Sequence, residues 1–159
     1  MTKPGIKLSM PVAFMIENCR ASGISDDLLI ESLLRRDFTA IRHAGDGDID
    51  FAKLLDTAAE IGDDWENAIR YGYEFSFISI NGLRKLLNFR FRKLEHQDYE
   101  VDGLIIRHLA LTAEEVGELR GLISRQWAVN ETGTDREQRT VVQVELKYQS
   151  MPKNQWVIG

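Results

Sequence analysis

The chain has 159 residues with a formal net charge of −5, and 43% of its residues are hydrophobic. This size and composition predict one ordinary globular domain spanning residues 1–159. No apolar stretch approaches the roughly 18 residues that a helical membrane span needs. The single cysteine, Cys19, has no partner for an intramolecular disulfide, which is typical of a reducing compartment. We therefore expect a cytoplasmic protein that does not interact with a membrane.

The charged residues are arranged in blocks. Residues 44–69 carry eight acids and one lysine, and residues 94–119 carry seven acids and one arginine. Between them, residues 70–93 hold six basic residues against the single acid Glu74. A basic block inside an acidic protein can pair with its acidic neighbours or bind an acidic partner, so it is the first candidate for a functional surface.

Four helices are predicted in the first part of the chain, over residues 11–22, 25–38, 51–62 and 63–70. Pro11 suits a first helical position, and the Ser25 hydroxyl can cap the free N–H groups of the second helix. Gly23 and Gly62 are typical of helix ends, because glycine readily adopts a positive φ.

The hydrophobic period changes after the fourth helix. Aromatic residues alternate with other residues over 71–78, which predicts a strand, although continuation of the preceding helix is the alternative. A fifth helix over residues 79–92 follows, capped by Ser79, with a buried stripe formed by Ile80, Leu83, Leu87 and Phe91. Arg84 and Lys85 lie off that stripe, so we expect them to face solvent.

The last third of the chain alternates between strands and one helix. Asp102-Gly103 predicts the turn of a hairpin over residues 99–107, and Thr112 with Glu115 forms the pattern of a capping box. The sixth helix, expected to bury Val116, Leu119, Ile123 and Trp127, leads through a polar turn at 130–137 to a strand at 140–148.

The predicted fold class is therefore α+β, with about six helices and a small antiparallel sheet in a single compact domain. The sheet would contain the strands at 71–78, 99–107 and 140–148. Residues 10–70 would be helical, and residues 71–159 would mix helices and strands.

Few residues in the chain suggest catalysis or metal binding. Asp46, Asp48 and Asp50 have the spacing of a calcium loop, but neither possible register supplies both the required glycine and the acid that ends the loop. The three histidines lack the i, i+4 spacing of a helical metal site, and Cys19 fits an amphipathic helix that buries it. We therefore predict no catalytic residues, no cofactor and no metal.

Two glycines on the predicted sixth helix are a separate feature. Gly117 and Gly121 stand four residues apart, and a glycine inside a helix costs roughly 1 kcal/mol relative to alanine. Their spacing suggests that another backbone packs closely against this helix. The sequence favours a segment of the same chain as that neighbour.

The basic block is also rich in aromatic residues, since it contains six of the fourteen in the chain. Aromatic residues bordered by arginine are typical of binding hot spots, although the same aromatics could form a core. The predicted partner-binding residues are Arg84, Lys85, Arg90, Arg92, Lys93, Tyr73 and Phe75. We therefore expect a non-enzymatic regulatory or inhibitory protein of bacterial or phage type. It would bind another protein with an acidic surface, and the sequence leaves its oligomeric state open.

The order of elements over residues 63–107 suggests a second function. A helix at 63–70, a basic helix at 79–92 and a hairpin at 98–107 resemble the winged helix-turn-helix of excisionase-like and MerR-like DNA-binding modules. This resemblance implies that Arg84, Lys85, Arg90 and Arg92 contact phosphates and base edges, with the Asp102-Gly103 turn as the wing. Nucleic-acid binding is therefore the alternative function.

Overall fold

The computed structural model describes residues 5–44 and 49–147, which divide into two compact units. Unit 1 is Met1–Lys93 and unit 2 is Leu94–Gly159. Within the described ranges, six helices and an antiparallel sheet confirm the predicted α+β class. The predicted organisation as a single domain, helical over residues 10–70 and mixed over residues 71–159, stays a prediction. No helix in the described ranges is long and apolar enough to cross a membrane.

The described part of unit 1 contains five helices and two short strands. The strands β1 (Lys7–Leu8) and β2 (Glu74–Phe75) pair in parallel. The helices are α1 (Met10–Ala21), α2 (Asp26–Arg35), α3 (Phe51–Ile61), α4 (Trp65–Tyr71) and α5 (Ile80–Phe91). α1 contacts α3, α4 and α5, and six of its twelve residues are buried. The centre of this unit is therefore the first helix of the chain.

Local capping explains where these helices begin and end. The Ser25 hydroxyl accepts a hydrogen bond from the Leu28 N–H, and the Ser79 hydroxyl accepts one from the Gly82 N–H. Gly62 adopts a left-handed conformation, with φ of 80°, at the end of α3. These contacts confirm the predicted helix boundaries within a few residues, because a cap depends only on residues that are close in sequence.

The predicted strand at 71–78 is wrong in its length and its pairing. Tyr71 belongs to α4, and the turn at Gly72, with φ of 97°, leaves only Glu74–Phe75 as a strand. This strand pairs with β1 near the N-terminus and is not part of the antiparallel sheet. The alternation of aromatic residues predicted a long strand, but Gly72 ends α4 and separates Tyr71 from the short strand.

Unit 2 is a four-stranded antiparallel sheet with one helix. Its elements are β3 (Glu100–Asp102), β4 (Ile105–Leu111), α6 (Ala113–Ile123), β5 (Trp127–Thr134) and β6 (Thr140–Leu146). The strand order is β3-β4-β6-β5, so the two ends of the sheet are β3 and β5. The core contains Leu119 and Ile123 of α6 together with Ile106, Trp127 and Val144 of the strands.

Several predictions for this unit are confirmed. Gly103 has φ of 65° in the turn between β3 and β4, as the Asp-Gly pair indicated. The capping box is present, with hydrogen bonds joining Thr112 and Glu115 in both directions. The strand at 140–146 is also present, with Val142 and Val144 buried, while Tyr148 lies outside the described residues.

Strand β5 was not predicted. The sequence suggested that Trp127 ends the sixth helix and that 130–137 is a polar turn, but α6 ends at Ile123 and residues 127–134 form a strand. Its second half, from Asn130 onward, is exposed and polar on both sides, so it has no alternating apolar pattern. The alternating pattern requires one face of a strand to pack against a core, and both faces of this half are exposed.

Gly117 and Gly121 are exposed on α6, and a Cβ atom added to either would meet no heavy atom within 4 Å. The expectation that a segment of the same chain packs against them is therefore wrong for the part of the chain that the structure describes. Asp46 and Asp48 lie outside the described residues, and Asp50 is the N-cap of α3.

Candidate partner-binding face

Residues 70–93 divide into side chains that build the core of unit 1 and side chains that face outward. Phe75 is 1% exposed and Tyr73 is 8% exposed. The Phe75 ring lies 5.4 Å from that of Phe14 and 5.7 Å from that of Tyr73, measured between centroids. Two residues of the predicted partner-binding set therefore belong to the core, and a partner cannot reach them in this structure.

A buried carboxylate explains the position of a third predicted residue. Glu17 of α1 is 2% exposed, and its Oε2 accepts hydrogen bonds from the Tyr73 hydroxyl and, at 3.2 Å, from the Arg90 guanidinium. The Arg20 guanidinium lies 4.0 Å from the same oxygen. Arg90 therefore neutralises a buried charge, and its role in unit 1 is structural.

The same contacts shift the titration of Tyr73. Burial raises the pKa of its phenol well above the ordinary value of 10.0, and the neighbouring Glu17 carboxylate raises it further. Tyr73 is consequently neutral at physiological pH and acts as a hydrogen-bond donor. We call Glu17, Tyr73, Arg90 and Arg20 the buried ionic cluster.

The outward side of α5 carries the other cationic residues. Asn81, Arg84, Lys85, Asn88 and Arg92 are all exposed, and we call these five residues the basic stripe. Asn81, Arg84, Lys85 and Asn88 follow the spacing i, i+3, i+4 and i+7, which places them on one face of α5, and Arg92 is the C-cap that directly follows the helix. α5 contains no acidic residue, so every charge that the helix itself contributes to this face is positive. The predicted exposure of Arg84 and Lys85 is confirmed.

The three cations of the basic stripe differ in their contacts with the described residues. Arg84 donates a hydrogen bond to the Asn81 side chain at 3.1 Å. Within the described residues, the side chains of Lys85 and Arg92 form no hydrogen bond or ion pair. Lys93, which was also predicted to bind a partner, is half-buried just beyond the helix. The two unpaired cations are therefore available to an external anion.

An exposed aromatic residue precedes the stripe. Phe77 is 54% exposed and lies two residues before the N-cap Ser79. Sequence reasoning selected Tyr73 and Phe75 from this segment, whereas the structure exposes Phe77. The alternating pattern predicted one strand with Tyr73, Phe75 and Phe77 on the same face. Only the end of the strand at Phe75 distinguishes the exposed Phe77 from the two buried residues.

Two observations concern metal binding and the reactivity of the cysteine. In the two described ranges, no three His, Cys, Asp or Glu side chains are grouped to hold a metal ion. Cys19 is fully buried, and burial raises the pKa of its thiol to about 12. A thiol that stays protonated at neutral pH is a poor nucleophile, so the interpretation of Cys19 as a packing residue is confirmed.

The elements of the suggested winged module are present but are divided between the units. α4 and α5 belong to unit 1, and the β3–β4 hairpin belongs to unit 2. The connection between the two helices is long and contains β2, and the hairpin exposes Glu100 and Asp102.

Comparisons with protein-family models, curated proteins and solved structures found no match for this chain.

Proposed function

We propose that this chain is a non-enzymatic cytoplasmic regulatory or inhibitory protein that binds an acidic surface of another protein through the basic stripe. The observation that carries the proposal is the acid-free exposed face of α5, in a chain with five more acidic than basic residues. An exposed cluster of one sign steers an oppositely charged partner and aligns it on binding.

The architecture of α5 supports this role. Its opposite face is fixed by Leu83, Leu86 and Leu87, which are at most 1% exposed, and Arg90 anchors it to Glu17. The cations are therefore held on a rigid scaffold, which lowers the entropy lost on binding. Phe77 adds an apolar side chain near the start of the same helix, and aromatic residues often contribute a large part of the binding energy.

Duplex DNA is the second candidate partner. The stripe combines arginine with asparagine, the side chains that recognise guanine and adenine edges in the major groove. The acidic side chains of the β3–β4 hairpin favour the protein partner, because phosphates would repel a wing with exposed Glu100 and Asp102. Both candidates use the same stripe, so the experiment must include both.

The first test reverses the charge of the stripe. The variant Arg84→Glu with Lys85→Glu should lose a partner that wild-type protein retains in affinity capture, and its melting temperature should stay within a few degrees. The control is Arg42→Glu with Lys53→Glu, which makes the same charge change at two exposed positions of unit 1 outside α5. The control should retain the partner.

The outcome that contradicts the proposal is equal capture by all three proteins, because binding would then not depend on the stripe. A parallel gel-shift titration with duplex DNA tests the second candidate. Binding that decreases steeply with salt and is lost in the stripe variant would favour DNA as the partner.

A further inference from the structure

We propose that the partner presents an acidic α-helix, which lies along α5 with its carboxylates about two turns apart. This inference rests on the proposed function, since it concerns the same stripe. The charges of the stripe lie at two places, with Arg84 and Lys85 in the first half of α5 and Arg92 just beyond its C-terminal end. Asn88, which is neutral, lies between them.

The spacing of these charges determines which partner fits. Seven to eight residues separate the two places, which corresponds to about 10–12 Å along a helix that rises 1.5 Å per residue. A second helix with acids at i, i+4, i+7 and i+11 presents them along one face and contains two pairs of acids seven residues apart, the separation of Lys85 and Arg92. Helices that pack at a crossing angle of about 20° stay side by side over two turns, so both groups of charges can pair at once.

Arg92 supplies an independent argument. It is the C-cap of α5 and has a left-handed backbone, with φ of 56° and ψ of 42°. Glycine adopts this conformation at lower cost than any residue with a Cβ atom, and it is the usual residue at this position. Within the described residues, the Arg92 side chain forms no contact with an anion or a hydrogen-bond acceptor.

Arg36 is a second arginine at a helix C-cap, and its side chain forms an ion pair within unit 1. It is the C-cap of α2, with φ of 52° and ψ of 35°, and its guanidinium pairs with Asp56 at 2.8 Å. Arg92 has the same unfavourable backbone without such a pair. A contact with an external carboxylate explains why an arginine is present there.

The experiment measures binding of two synthetic helical peptides by fluorescence anisotropy. Both peptides have the same composition and the same number of glutamates. In the matched peptide the glutamates follow i, i+4, i+7 and i+11, and in the scrambled peptide they are spread around the helix. Circular dichroism establishes that the two peptides are equally helical. The matched peptide should bind wild-type protein about five- to tenfold more tightly, because only it can pair with both groups of cations.

Two protein variants test the part played by Arg92. Arg92→Gly should raise the melting temperature, because it relieves the left-handed conformation, and should remove the preference for the matched peptide. Arg36→Gly makes the same substitution in the same conformation at the end of α2, and should leave the preference unchanged. A merely structural role for Arg92 would not produce a variant that is more stable and binds less well.

Several results would overturn this inference. The first is equal affinity for the two peptides, which would mean that charge alone determines binding. The second is an Arg92→Gly variant that keeps the full preference for the matched peptide. The third is binding of duplex DNA but of neither peptide. If neither peptide binds while a captured protein partner remains sensitive to Arg84 and Lys85, the helical partner is wrong and the proposed function stands. If the captured partner is insensitive as well, both are wrong.

Discussion

The two units use their charged side chains in different ways. Unit 1 buries Glu17 between Arg90 and Tyr73, residues that are 73 and 56 positions away along the chain. Unit 2 keeps its polar contacts on partly exposed positions of neighbouring strands, where Arg107 donates to Gln143 at 3.2 Å and Asn130 donates to Glu145 at 3.0 Å. A buried ionic cluster specifies how distant segments pack, whereas contacts across adjacent strands support pairings that the backbone already makes.

The sharpest test of this comparison removes one arginine from each unit. Arg90→Ala should lower the free energy of unfolding by about 3 kcal/mol, because it leaves the buried Glu17 carboxylate without its nearest cation. Arg120→Ala should cost at most about 1 kcal/mol, since this arginine is 45% exposed where it pairs with Glu131. Equilibrium unfolding in urea measures both values.

If the two variants lose equal amounts of unfolding free energy, the two units do not differ in how much their charged contacts contribute to stability. The Arg120 variant also reports on the edge of the sheet, because Arg120 donates a hydrogen bond to the Val129 carbonyl at 2.8 Å. Aggregation of Arg120→Ala without a change in stability would indicate that this arginine protects β5 from pairing with other chains.

A smaller effect is expected for Tyr73→Phe, which removes only the hydroxyl that donates to Glu17. A hydrogen bond to a charged group contributes about 1.5–3 kcal/mol, so the loss should lie in this range at neutral pH. The pKa of Tyr73 is raised in the folded protein, so this tyrosine contributes to stability below pH 10.0, the ordinary value, and the contribution is lost as the pH rises above it. Urea unfolding at neutral and alkaline pH measures this dependence.

The matched control is the double variant Tyr73→Phe with Glu17→Gln. If the hydroxyl acts through the Glu17 carboxylate, the two substitutions should be strongly non-additive. The stability gap between wild type and Tyr73→Phe should also narrow above pH 10.0. A gap that is constant with pH would contradict the buried hydrogen bond.

The sequence predicted the features that depend on nearby residues. The Ser79 cap, the Gly62 helix end and the Thr112 capping box require only residues within one helical turn. The exposed position of Arg84 and Lys85 followed from the helical period of α5. These predictions succeed because capping hydrogen bonds and the hydrophobic stripe of a helix both depend on residues that are close in sequence.

Features that depend on distant segments could not be predicted in the same way. Arg90 and Arg92 are neighbours in a basic run, and only the approach of Glu17 from α1 turns Arg90 inward. Phe75 is buried because β2 pairs with β1, and Phe77 is exposed because it lies beyond that pairing. The partner-binding role of the cations on α5 therefore stays a prediction, while the two aromatic residues selected from the sequence, Tyr73 and Phe75, are buried in the core.

Glycines inside helices give the last and smallest comparison between the units. Gly82 lies in α5, and an added Cβ atom would be 2.8 Å from Cγ1 of Ile78 and 3.0 Å from Sδ of Met10. Gly82→Ala should therefore lower the free energy of unfolding by about 1–3 kcal/mol, despite the better helix propensity of alanine. Thermal unfolding should show a lower melting temperature.

Gly117 and Gly121 in α6 should respond in the opposite direction. A Cβ atom at either position meets nothing within 4 Å, so replacing each by alanine should stabilise the protein by up to about 1 kcal/mol through helix propensity alone. The same thermal unfolding experiment measures the gain, and size-exclusion chromatography reports whether association changes. If Gly117→Ala or Gly121→Ala instead destabilises the protein, or dissociates an oligomer, then another backbone occupies the open face of α6. A gain of stability with no change in association would mean that the two glycines serve no packing contact, and that α6 of unit 2, unlike α5 of unit 1, tolerates added volume at its glycines.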